Sequence, residues 1–426
     1  MADTKRTRKQ TVADRVTSLP GLDTLEGVQF AGYASVRGAT GKNGAVKADE
    51  KLFYWFVGTD DYARRPTILW TNGGPGSSSF WGFFLENGPY EIQSAVGTYP
   101  VVKPRATAWN LQANYMIFEH PLSVTLSFPA DDRDIPQNVE TGVDQLYQAL
   151  VNFLLKHPEI ARNPLILAGE SYAGTYLPLL SQAILKGNAK GTARIDLRAT
   201  VLLDSWVDPF TQMAANTTYA LTHGLISPAQ KDELDKKYTG AKLADINSAI
   251  GKICGCYMAN LAQTGDPAFD PVLLYLNRED VRTAIHARQG PPVTDSWSHS
   301  ISDNYQARVN ESYLPNVQAL IDSGKLKVLV ISGLNDAKDC NFLGTGAWLS
   351  KLTGPVARKF HSTVPQRQID ASGNVYAFDQ DAGRLTWLKV LNAGHLAVND
   401  QPALLSYILS KALPSRKNRS APTSKR

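Results

Sequence analysis

The stretch that most restricts this chain is Leu165-Ile-Leu-Ala168, which runs without a break into Gly169-Glu-Ser-Tyr-Ala-Gly174. Four apolar residues of strand character meet a turn of small residues, and a helical pattern follows over 176–185. A serine at such a corner sits on strained backbone, so the residues two places to either side must be small. Gly169 and Ala173 meet that demand. Ser171 is therefore a candidate nucleophile. A chance serine among small residues is the competing reading, and the strand–turn–helix order weighs against it.

The remaining pattern agrees with strands that alternate with helices. Apolar runs of strand length occur at 28–36, 51–57, 67–71, 115–118, 165–168, 200–203, 327–332 and 385–391, with Gly41-Lys-Asn-Gly44 marking a turn. Most do not alternate polar with apolar, as expected for strands of a parallel sheet buried on both faces. Val143, Leu146, Tyr147, Leu150, Phe153 and Leu154 recur at helical spacing and stop near His157-Pro158. The reading is α/β, a mostly parallel central sheet flanked by helices. The rhythm fails between Trp206 and about residue 300, where helix-like pieces at 228–237 and 278–287 suggest an inserted, mainly helical lid. The expected organisation is an N-terminal tail (1–26), core (27–206), lid (207–300), core (301–413) and a basic tail (414–426).

The net charge of +5 does not point to a nucleic-acid partner. Residues 1–10 carry +3 and residues 414–426 carry +5, which leaves −3 on the 403 residues between. The basic ends read as solvated tails. The chain has three cysteines. Cys254 and Cys256, separated by one glycine, are not expected to bridge each other, and Cys340 is left over. No zinc spacing, cofactor motif or 18-residue apolar run is present, so metal, cofactor and membrane are not expected. With no apolar leader at 1–10, the expected location is cytoplasmic.

A serine hydroxyl needs a base, and the base needs an acid to orient it. Of seven histidines, His361 and His395 lie beyond the late strand at 327–332. His361 follows Arg358-Lys359 in a charged run, which favours a surface place. His395 follows a strand end and the turn Asn392-Ala-Gly394, from which a loop can present its ring. For the acid, Asp336 and Asp339 both follow strand 327–332, and the pattern leaves both open with Asp336 favoured. The backbone amide of Tyr172, next to the serine, is one expected oxyanion donor. A second should come from Asn72-Gly-Gly-Pro-Gly76, after strand 67–71.

Taken together, Trp70-Thr-Asn-Gly-Gly-Pro-Gly-Ser-Ser-Ser79, Gly169-Glu-Ser-Tyr-Ala-Gly174, Tyr275-Leu-Asn-Arg-Glu-Asp-Val281, Ser332-Gly-Leu-Asn-Asp336 and Ala393-Gly-His395 with Asp400-Gln-Pro402 resemble the serine carboxypeptidases, in family order and over most of 27–412. The resemblance implies an α/β-hydrolase fold and a Ser171–His395–Asp336 triad, choosing Asp336 over Asp339. It implies oxyanion donors at Gly74 and Tyr172. It also implies that Asn72, Gly73, Glu86 and Glu170 grip the free carboxylate of a peptide substrate, one glutamate staying protonated because like charges in one site raise a pKa.

Departures from the family pattern bear on the substrate. Ser77 stands where the family usually has a disulfide-bonded cysteine. His120, Ser123 and Thr125 replace Gln and two Gly in the segment 119–127. Asp204-Ser205 replaces Asn-Gly before Trp206, Leu203 and Leu334 replace Gly and Asp, and Leu396-Ala-Val398 replaces Met-Val-Pro. The expectation is a serine carboxypeptidase acting on a peptide or acyl substrate. The alternatives are an acyltransferase or esterase with the same triad, and a non-catalytic binding protein, which the complete triad disfavours. The oligomeric state is left open, monomer or homodimer.

Overall fold

The computed structural model describes residues 13–36, 51–93 and 99–413. Both basic tails beyond these and the turn at Gly41–Gly44 lie outside the described residues. The strands are β1 (Arg15–Val16), β2 (Val28–Ser35), β3 (Lys51–Gly58), β4 (Thr67–Thr71), β5 (Tyr90–Gln93), β6 (Val101–Pro104), β7 (Asn114–Phe118), β8 (Leu165–Ser171), β9 (Leu197–Ser205), β10 (Lys327–Gly333), β11 (Gln366–Ile369), β12 (Val375–Asp381) and β13 (Leu385–Val390). All but β5 and β6 join one sheet in the order β1-β2-β3-β7-β4-β8-β9-β10-β13-β12-β11. The centre, β7 to β13, is parallel, and antiparallel strands close both flanks.

Neighbouring residues of a central strand enter opposite cores, as a pleat buried on both faces requires. Leu69 and Val330 face one core with Leu146 of α1 (Val139–Lys156) and Leu180 of α2 (Ala173–Lys190). Trp70 and Ile331 face the other. The helix foreseen from 143–154 is α1. Asn138 caps it through a 2.9 Å bond from the Thr141 amide, and Leu146, Leu150 and Phe153 are buried. Each such side chain contributes about 1.5–3 kcal/mol.

Between β9 and β10 the chain forms helices and no strand. Among them are α3 (Asn216–Thr222), α4 (Pro228–Lys237) and α5 (Ile246–Cys254). The helix expected over 278–287 is shorter, Glu279–Ala284, and a separate turn of helix, Asp270–Leu276, precedes it. No helix among the described residues is long and apolar enough to cross a membrane.

One expectation is corrected here. Cys254 and Cys256 do form a disulfide, with Cα atoms 5.2 Å apart, and Cys340 is buried and free. Gly255 ends α5 in the left-handed region (φ +63°), and this turn brings the flanking Cα atoms within disulfide span.

Candidate active site

Three of the proposed site residues stand at the C-terminal ends of parallel strands, where open α/β sheets present their loops. Ser171 ends β8 with φ +58°, and α2 begins two residues later. The corner is possible because its neighbours lack side-chain bulk. A Cβ on Gly169 would fall 2.3 Å from the Thr71 carbonyl oxygen, and one on Gly174 would fall 2.7 Å from both Ser205 Cβ and the Trp206 carbonyl oxygen. The Trp206 amide donates to the Ser171 carbonyl at 2.8 Å, tying the corner to the end of β9.

The acid and histidine loops follow β10 and β13, which are paired neighbours. They stay zipped beyond the sheet: Leu334 N donates to the Val390 carbonyl (2.9 Å) and Asn335 N to the Ala393 carbonyl (2.8 Å). His395 Nδ1 lies 2.9 Å from Asp336 Oδ2, and the other carboxylate oxygen accepts from the Lys338 amide at 2.8 Å. Asp336 is completely buried. A carboxylate only accepts here, so His395 carries its proton on Nδ1 and leaves Nε2 free as a base. Asp339 accepts from Asn247 instead, and His361 is exposed with its Nε2 against the Leu349 carbonyl. The structure thus bonds Asp336 to His395, whereas Asp339, close enough to feel the charge of both, bonds to Asn247, and His361 bonds to the Leu349 carbonyl. The Ser171 hydroxyl makes no hydrogen bond to another described residue; such catalytic contacts commonly tighten only around substrate.

Gly73 presses its backbone onto the corner, since a Cβ there would lie 2.4 Å from Tyr172 N and 2.8 Å from Ser171 Cβ. Gly74 follows in the left-handed region (φ +116°) with a cis bond to Pro75. Among the described residues the amides of Gly74 and Tyr172 have no acceptor, which leaves both available to an oxyanion.

Beside this corner lies a buried polar knot. Asn72 Nδ2 donates to Glu86 Oε1 (3.0 Å) and to Glu170 Oε1 (2.8 Å), while its Oδ1 accepts from Trp70 Nε1 (2.8 Å) and Gly82 N (3.1 Å). Four bonds lock the amide in one orientation. Glu86 and Glu170 are within hydrogen-bonding reach of each other, and no donor serves their Oε2 atoms among the described residues. Burial raises the pKa of both, and that of Glu170 is raised further by the charge of Glu86. The pair therefore holds a proton well above the usual carboxylate range. A protonated His395 would oppose part of the rise at Glu86.

The departures from family pattern have structural consequences. Where the cysteine staple is missing, Ser77 faces Trp297 in a single antiparallel bridge, with Ser78 N bonded to the Ser296 carbonyl (2.8 Å) and Ser298 N to the Gly76 carbonyl (2.9 Å). Two backbone hydrogen bonds tie this segment to residues 296–298. Ser123 (φ +95°) and Thr125 (φ +36°) occupy left-handed backbone that suits glycine, and each hydroxyl holds its place. Ser123 Oγ accepts from Ser298 Oγ (3.1 Å), and Thr125 donates to Glu119. Glu119 also accepts from Ser78 Oγ at 2.6 Å, and burial raises its pKa to about 7. His120 is fully buried, has no hydrogen-bond partner among the described residues and lies edge-on to Tyr176, and burial lowers its pKa to about 3. Asp204, replacing an asparagine, is a second buried acid near Asp336. It accepts from Gly333 N at 2.8 Å, and burial followed by the Asp336 charge raises its pKa well above the usual range. The substitution was visible in the sequence, but the proximity of Asp204 to Asp336 was not.

Comparison with known proteins shows the family and the fold. A model of the family described as serine carboxypeptidase matches residues 20–266 and 256–414. Serine carboxypeptidase-like 47 of Arabidopsis thaliana is 28% identical over 90% of this chain and 77% of its own length. Serine carboxypeptidase 3 of Hordeum vulgare is 29% identical over 91% and 79%. Venom serine carboxypeptidase of Apis mellifera is 30% identical over 88% and 81%. Among solved structures, the prohormone-processing carboxypeptidase Kex1(delta)p of Saccharomyces cerevisiae superposes with a TM-score of 0.78 at 19% identity, covering 92% of this chain and 95% of that one. That likeness establishes the α/β-hydrolase fold.

Proposed function

The chain belongs to the serine carboxypeptidase family, and from that premise we propose that it removes C-terminal residues from peptides through an acyl-enzyme. The observation that carries the reading is the Asn72–Glu86–Glu170 knot beside Ser171, because a buried pair of glutamates sharing a proton has little other use. With one glutamate protonated, the pair offers a donor, and one negative charge fewer, to a peptide's terminal carboxylate. The Gly73 backbone supplies a further donor, and Asn72, whose two amide hydrogens go to Glu86 and Glu170, holds the pair in place beside it. Bound so, the last peptide bond lies over the serine corner.

Ser171 Oγ then attacks the carbonyl carbon while His395 Nε2 takes its proton. Asp336 stabilises the imidazolium. The charge that develops on the carbonyl oxygen meets the amides of Gly74 and Tyr172. His395 returns the proton to the leaving nitrogen, and the C-terminal amino acid departs. Water, activated by the same ring, attacks the acyl-Ser171 ester and frees the shortened peptide. Matched peptides ending in a free acid or an amide test the reading: the free acid should react at least tenfold faster in kcat/KM. Equal rates would remove carboxylate recognition.

A second reading, an acyltransferase or esterase with the same triad, draws on the segment 119–127, where Ser123 and Thr125 hold glycine backbone and His120 is buried. Turnover of acyl esters or thioesters without turnover of any peptide would favour it.

A further inference from the structure

The helical insertion touches the acid and the base at once. Its segment 258–263, just past the Cys254–Cys256 disulfide, runs between the two loops that carry Asp336 and His395. On one side it holds both neighbours of the acid. Ala337 N donates to the Met258 carbonyl at 2.9 Å, and Leu261 N donates to the Asn335 carbonyl at 3.1 Å. On the other side His395 N itself donates to the Ala259 carbonyl at 2.7 Å.

These backbone contacts are closed by one carboxylate at the end of the one-turn helix Ala397–Asp400. Asp400 Oδ2 accepts from Gly394 N (2.8 Å) and from Asn260 Nδ2 (2.9 Å), and Oδ1 accepts from Gln263 Nε2 (2.9 Å). Asn260 is buried, and its own Oδ1 accepts from Ala262 N at 2.9 Å. The fit is close: a Cβ on Gly394 would fall 2.4 Å from Asn260 Cβ and 2.5 Å from the Ala259 carbonyl oxygen. Neither loop can shift against the other without breaking this set.

We propose that Asn260 and Asp400 form a clamp by which the insertion sets His395 against Asp336, so that Asp400 is a positioning residue for the base. The proposal rests on the triad reading above. It implies that the insertion supports the reaction and does not merely cover it. Displacement of a catalytic group by about 1 Å lowers rate by up to about 100-fold, with little effect on binding elsewhere.

The test compares wild type with Asp400→Ala, Asp400→Asn, Asn260→Ala and the double alanine variant. Measured are kcat and KM on the best substrate, the rate at which a fluorophosphonate labels Ser171, and thermal stability. Asp400→Ala should lower kcat and the labelling rate together by about 10–100-fold while KM stays within about twofold. Asp400→Asn keeps an acceptor for Gly394 N and Asn260, so it should stay within about threefold of wild type. The double variant should be no slower than the worse single, because both ends belong to one contact. A folded Asp400→Ala protein that labels at the wild-type rate overturns the clamp. So does a loss confined to KM, or losses that multiply in the double variant. Should Asp400→Ala fail to fold, Asn260→Ala decides by the same readouts. A wild-type protein that no fluorophosphonate labels would instead overturn the triad reading.

Discussion

Among the described residues, Ser171 is the one serine on left-handed backbone at a strand end that leads straight into a helix. Replacing it with alanine leaves the corner intact and should lower kcat by about 10⁴–10⁶-fold while abolishing fluorophosphonate labelling; retained turnover would assign the chemistry elsewhere. At the glutamate pair the sign follows from the raised pKa of both groups. As pH rises the shared proton leaves, two charges face the substrate carboxylate, and KM for free-acid peptides should climb. Glu86→Gln keeps a donor at every pH and should flatten that climb. Superimposable KM–pH profiles for variant and wild type would end the shared-proton account. At Ser123 two effects compete, the strain of φ +95° and the bond from Ser298. Glycine relieves the first and alanine keeps it, so Ser123→Gly should be more stable than Ser123→Ala by about 1 kcal/mol in denaturant unfolding.

At the scale of elements, the corner depends on how closely α2 approaches the end of β9. Gly174→Ala places a methyl 2.7 Å from Ser205 Cβ, at the end of β9, and from the carbonyl of Trp206, whose amide is bonded to Ser171. Either the helix moves or the corner does. The expected cost is about 1–3 kcal/mol in stability with a larger fall in kcat than in KM; a thermal shift within error and unchanged kcat would show the packing to be looser. The elements legible in sequence were those with a strong period. The helix over 143–154 and the buried parallel strands could be read because burial on two faces demands apolar runs. β11, β12 and the pair β5–β6 were not. β11 is Gln-Arg-Gln-Ile, mostly exposed, and is a strand only because β12 lies beside it.

For the molecule as a whole, the N-terminal end of the described chain is fastened by charge. Asp14, beside β1, accepts from His157 Nε2 (2.9 Å), Lys156 Nζ (2.7 Å) and Tyr54, all within the body of the fold. Burial alone would raise the Asp14 pKa, but these bonds outweigh it and lower it to about 2. Its stabilisation is present above the ordinary aspartate range and disappears as pH falls toward 2. Burial likewise pulls the His157 pKa down, and its bonds to Asp14 and Glu159 win, raising it. That contribution is complete below the unfolded histidine pKa and is lost as pH rises through the folded one. Asp14→Asn should therefore cost about 2 kcal/mol near pH 6 and much less near pH 2, measured by denaturant unfolding at each pH. An equal cost at both would show that the ion pairs do not set it.

The sequence by itself determined the α/β alternation, the serine corner and the family motifs, because each is a local pattern: apolar runs, small residues beside a strained turn, and short ordered strings. It also narrowed the base to His395 by context and order. The resemblance chose Asp336 over Asp339, and the structure has Asp336 at His395 while Asp339 turns to Asn247. Tertiary structure alone decided the rest. It joined Glu86 to Glu170, 84 residues apart, through Asn72, and set Asp204 near Asp336. It also closed a Cys-Gly-Cys bridge that spacing argued against, since the left-handed turn at Gly255 is a backbone choice that residue spacing does not record. The serine corner itself reads the same from either side, but what surrounds it is a property of contact between distant segments, and such contact leaves no period in the sequence.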